Sequence, residues 1–123
     1  KRVMRRIASH YIYWNSFFPM HYVELDEEEC LAGVFPLEEE IAGTEFYDGL
    51  LILASISTLC TGERVAFDMR RGETLAEALE RQGFTPISRT GLPVCLLLLS
   101  GISPATAKFG ADDGRGDGYI QRL

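Results

Sequence analysis

The longest apolar run in the chain, Leu92 to Leu99, is interrupted by Pro93 and stopped by Ser100 and Gly101. A membrane helix needs roughly 18–20 apolar residues in a row, so this run is too short to span a bilayer and reads as a buried strand. The rest of the chain is built from pieces of the same size. Val3 to Trp14 is rich in β-branched and aromatic residues, the composition of a pleated, half-buried surface. His21 to Asp26 alternates, with His21, Val23 and Leu25 on one side. Cys30 to Leu37 then reads as a returning strand across an acidic turn, Asp26 to Glu29, with Leu31, Gly33, Phe35 and Leu37 on one side. Arg64 to Arg70 alternates again and sets Val65, Phe67 and Met69 opposite Arg64, Ala66, Asp68 and Arg70.

Turn chemistry separates these pieces. Glu38-Glu39-Glu40 and Ala42-Gly43 mark a loop, and Asp48-Gly49 carries a strong turn signal ahead of a strand from Leu50 to Ile56. One helix is expected, over 74–82. Thr74 caps it, Glu77 three residues later completes a capping box, and Leu75, Ala78 and Leu79 form its apolar stripe. Gly83 stops it. Ala111 to Gly118, rich in Gly and Asp, reads as a hairpin tip before a last strand, Tyr119 to Leu123. The length of 123 residues suits one domain over 1–123.

A net charge of −6 argues against a nucleic-acid surface. Arg2, Arg5 and Arg6 cluster, but among apolar residues, and read as a strand edge rather than a phosphate-binding patch. The basic, then apolar N-terminal stretch is broken by Ser9, His10 and Asn15 and shows no clear cleavage site, unlike a signal peptide. Cys30, Cys60 and Cys95 are odd in number and far apart, which fits reduced thiols in a cytoplasmic protein better than a disulfide framework.

No catalytic residue, metal ligand or cofactor site is assigned. His10 and His21 lie on different strands and could meet across a hairpin, joined by Cys30, in a metal or Cys/His site, but their spacing matches no metal motif. Ser100-Gly101 follows an apolar strand, yet the first glycine of a nucleophile elbow is missing. Asp26–Glu29 and Glu38–Glu40 read as solvated turn carboxylates. The stretch Asp112 to Ile120 half matches a calcium loop, but Arg115 stands where an oxygen ligand belongs, and its Arg-Gly-Asp tripeptide reads as part of a turn. Tyr11, Tyr13, Trp14, Phe17 and Phe18 are dense enough to line a small-ligand pocket, though such aromatics more often fill a core.

The order of the segments carries a resemblance. "RRIASHYIYW" followed by "HYVELDEEECLAGVFPLEEEIAGTEFYDGLLIL" resembles the N-terminal stretch of metal-dependent amidohydrolases, in which early strands lead through a hairpin into the catalytic barrel. Asp48 to Leu53 matches that approach, but the chain continues Ala54 to Cys60 without the family's Pro-Gly or paired histidines. The helix Thr74–Gln82, then "RTGLPVCLLLLSGIS" and "GYIQRL", resembles the family's closing helix and strands, without the Asp of the penultimate strand. The resemblance implies the composite β-sandwich that those flanks form, with the barrel of roughly 250 residues removed.

The expected fold is therefore mainly β, a small sandwich of about seven strands with one short helix. The expected function is that of a non-catalytic structural or binding module without cofactor. The sandwich face that would pack on a barrel needs another cover, for which a homodimer is the simplest. The alternatives are a small hydrolase with an improvised metal or Cys/His site and a small-ligand binding domain.

Overall fold

The computed structural model describes residues 3–55, 59–110 and 116–123, and for Val3 and Met4 the backbone only. The chain is mainly β. Its strands are β1 (Val3–Trp14), β2 (Ser16–Asp26), β3 (Leu31–Pro36), β4 (Thr44–Ala54), β5 (Arg64–Met69), β6 (Cys95–Ser100) and β7 (Gly116–Arg122). Two short helices, α1 (Leu75–Arg81) and α2 (Pro104–Phe109), complete it. The expected number of strands is present, and they hydrogen-bond as one continuous sheet in the order β3-β2-β1-β4-β6-β7-β5. β1 and β4 run parallel, and every other neighbouring pair is antiparallel.

The central strands carry apolar side chains on both faces. On one, Leu50, Ile52, Leu97 and Leu99 pack with Phe67 and Met69 of β5, with Leu75 and Leu79 of α1 and with Ala107 of α2. On the other, Leu51, Leu53 and Leu96 pack with Ile7, Val23, Leu25 and Leu31. Continuous apolar runs such as Leu50–Leu53 and Leu96–Leu99 follow from this, because a strand covered on both faces has no polar side to alternate with.

Three local expectations are corrected. Arg5 and Arg6 do not mark a sheet edge, since β1 lies between β2 and β4, while Arg2 lies outside the described residues. Arg5 is held by Glu45 and Arg6 by Glu24, so carboxylates on both flanking strands neutralise them inside the sheet. Asp48-Gly49 is not a turn. Tyr47 pairs with Ser9 and Leu50 with Tyr11, leaving Asp48 and Gly49 together opposite His10, which is a β-bulge. Gly49 there takes φ 130°, and a Cβ on it would press on the Leu99 carbonyl at 3.0 Å. Thirdly, β3 does not keep one face: a register shift puts Leu31 and Val34 toward the same core, while Phe35 turns outward onto Tyr22.

The helix expected at 74–82 is α1 with its caps: Thr74 Oγ1 accepts from the Glu77 amide, and the Glu77 carboxylate accepts from the Thr74 amide. The second helix was not expected. Ser103 caps it, accepting from the Thr106 amide, and Pro104 opens it. The stretch resembling a calcium loop lies outside the described residues as far as Arg115, and from Gly116 onward it is β7.

β3 ends on one margin of the sheet, and β4 begins three strands further in. The seven residues from Leu37 to Gly43 join them as an irregular strap. A parallel connection of this kind usually needs a dozen or more residues and a helix. Here a bare strap spans roughly 14 Å, three strand spacings. That strap shapes the candidate site.

Candidate functional site: a groove beneath the strap

Residues paired directly across a ladder point to the same side of the sheet. Phe35 pairs with Tyr22, Tyr22 with Ala8, and Ala8 with Phe46. These four residues form a transverse row across β3, β2, β1 and β4. Ala8 is fully buried, but Phe35 and Phe46 are 40% and 50% exposed, and Met20 beside them is 45% exposed. Ala8 and Phe46 of the row, with Met20, form the apolar floor of a groove of about 510 Å³, and the strap Leu37–Gly43 is its wall. Two backbone bonds fix the strap at its ends, Leu37 N–H to the Met20 carbonyl at 2.8 Å and Thr44 N–H to the Ile41 carbonyl at 3.3 Å.

Between those anchors stand Glu38, Glu39 and Glu40, all exposed. Among the described residues none forms an ion pair, and none of those lining the groove is a lysine or arginine. One polar atom of the lining, Thr44 Oγ1, is buried without a hydrogen-bond partner among the described residues. The groove therefore combines aromatic and thioether surface with uncompensated negative charge.

Among the described residues, His10, His21, Cys30 and Ser100 do not converge there or elsewhere. His10 Nδ1 lies 2.9 Å from Asp48 Oδ1, and its ring meets Phe46 edge-on at 5.2 Å. His21 Nδ1 instead contacts the Pro19 carbonyl at 2.8 Å, with Phe18 alongside. Cys30 is buried at the far end of β3 from Pro36, the residue that pairs with His21. Six steps of extended chain, roughly 20 Å, separate the two. Cys30 Sγ faces the Glu28 carbonyl, and its amide donates to Asp26. Among the described residues no group of three His, Cys, Asp or Glu side chains could hold a metal ion.

The bulge gives His10 an acidic neighbour, which is half of a Ser–His–Asp arrangement. Ser100, the serine considered from sequence, lies on β6 and pairs with Tyr119. β6 is two strands from β1, roughly 10 Å, and no hydrogen bond joins Ser100 to His10. The five aromatics divide as well: Tyr11, Tyr13 and Phe17 pack on the helix-side core, and Trp14 and Phe18 on the opposite one. They line no common pocket. Glu38–Glu40 were visible in sequence only as a loop. Their place beside Met20 and Phe46 depends on the parallel pairing of β1 with β4, which no local pattern reports.

Two ion pairs outside the groove are structural. Hydrogen bonds from Arg5 hold the Glu45 carboxyl below its ordinary range, and Tyr47 Oη also donates to it. Hydrogen bonds from Arg81 pull Glu73 down to about 2, helped by the Arg70 amide. Both pairs bind strands or helix to neighbouring backbone and face no cavity wall of the groove. Among the described residues no helix is long and apolar enough to cross a membrane. Set against known proteins, the chain matches no family model, no curated relative and no solved structure.

Proposed function

We propose that the protein is a binding module without catalytic chemistry of its own, whose working surface is the apolar row and groove on the β3-β2-β1-β4 face. The observation that carries this reading is the exposure of Phe35, Phe46 and Met20 together on one sheet face. Contiguous apolar surface of this kind on a small domain marks an interaction site more often than isolated exposed residues do. The dispersal of His10, His21, Cys30 and Ser100 over separate contacts supports the same reading.

The amidohydrolase-like composite domain is the frame we propose for it. Its support is that N-terminal strands β1–β4 and C-terminal strands β6–β7 join in one sheet through the β4–β6 ladder, as flanks enclosing a removed barrel would. We also place the module in a reducing compartment such as the cytoplasm, supported by three unpaired thiols, one of them the exposed Cys60.

A homodimer is the second reading, favoured by the same exposed Phe35 and Phe46, which a second copy would cover. Native mass spectrometry with metal analysis, alongside an amidase and deaminase screen, separates these possibilities. A protein without bound metal or turnover is the expected result. Stoichiometric zinc with hydrolysis would overturn the non-catalytic reading, and a dimer that withstands dilution would favour the second copy.

A further inference from the structure

We propose that the groove beneath the strap docks a basic amphipathic segment of a partner protein, with apolar side chains on Met20 and Phe46 and Lys or Arg side chains toward Glu38, Glu39 and Glu40. This rests on the binding-module reading and names the chemistry of its partner. Three properties of the groove select the occupant. Its floor is apolar and exposed, so it favours aliphatic or aromatic side chains over a fully polar ligand. Its wall carries three carboxylates with no basic side chain among the described lining residues, so complementary charge is positive. The apolar row continues beyond the groove to Tyr22 and Phe35, giving roughly 14 Å of transverse surface. A segment of chain covers that length, with apolar anchors on one side and charges on the other, as in recognition of amphipathic helices by grooves.

A second copy of this chain fits the groove less well. The protein carries a net charge of −6, so self-association would bring like charges toward the acidic strap.

The test uses the whole chain and a fluorescein-labelled amphipathic peptide of Lys and Leu, with a Glu-for-Lys version as its counterpart, read by fluorescence anisotropy. The Lys peptide is expected to bind, more weakly as salt rises, and the Glu version not to bind. The triple variant E38Q/E39Q/E40Q is expected to weaken binding at least tenfold, and Phe46→Ser by a similar factor. Removal of the same charge elsewhere, in E27Q/E28Q/E29Q on the β2–β3 turn, should change it less than twofold. Circular dichroism checks that each variant is folded. Equal losses in the two triple variants would reduce the effect to bulk charge and overturn the site, as would full binding by folded Phe46→Ser or no binding of the Lys peptide. None of these failures bears on metal content or turnover, which test the non-catalytic reading.

Discussion

At the scale of single residues, the most perturbed carboxyl among the described residues is Glu73. Its side chain accepts from Arg81 Nε at 2.8 Å and from the Arg70 amide at 2.9 Å, while Arg81 also donates to the Asp68 carbonyl. The residue thus ties the start of α1 to the end of β5. Its folded value of about 2 lies below the ordinary 4.5. A carboxyl depressed in the folded state contributes stability above its unfolded pKa and loses it as pH falls toward the folded one. The contribution is therefore complete above about pH 5 and disappears toward pH 2. Glu73→Gln keeps an acceptor oxygen and removes the charge. Urea unfolding at pH 7 should show the variant less stable than the parent, and at pH 2.5 the gap should be largely closed. An unchanged gap would mean that the side chain acts through packing instead of charge.

At the scale of elements, β1 and α1 were legible because their signals are local. A stretch rich in β-branched and aromatic residues specifies the first, and Thr74 with Glu77 specifies the second from its own first turn. The Ser103-Pro104 pair is an equally local signal for α2, a cap followed by proline in the first turn, and was available in the sequence. The bulge at Asp48-Gly49 was not. The dipeptide permits a hairpin turn and a bulge alike, since both need a residue at ease with positive φ. What decides is that residues on both sides of it pair with β1, and only the assembled sheet supplies that fact. The groove was hidden for the same reason: its floor and its wall are brought together by pairing between distant strands. A second glycine shows how tightly these elements meet. Gly118 of β7 passes so close to the Ser100 carbonyl of β6 that a Cβ would overlap it, and Gly101, with φ 85°, lies against the same spot. Gly118→Ala must push the two strands apart, an overpacking cost of about 2–3 kcal/mol. Thermal unfolding measures it, and a variant as stable as the parent would show that the β6–β7 contact yields freely.

At the scale of the whole molecule, β4 is the axis. Ile52 and Leu53 are adjacent and both fully buried, one in each core. Truncating either to alanine should cost about 3 kcal/mol, the usual range for buried aliphatics. The two losses should be similar even though helices cover one face and strands and loops the other. Denaturant titration of Ile52→Ala and Leu53→Ala tests this. A small loss at Leu53 alone would show that the helix-free core is loosely filled.

The position of β1 also has a consequence for how the chain is made. One edge of β1 is satisfied at once by β2, but the other waits for β4, forty positions later at the Arg5–Glu45 pair, and β4 in turn waits for β6. During synthesis the first hairpin therefore leaves the ribosome with an open, largely apolar margin. Such margins are where nascent chains stick to one another. The three glutamates of the strap emerge after that hairpin and before β4, so through the vulnerable interval the unfinished sheet trails a negatively charged flank. Charges beside an unavoidable apolar strand act as gatekeepers against aggregation. The carboxylates that wall the groove in the folded protein thus sit, in chain order, where gatekeeper charges would stand.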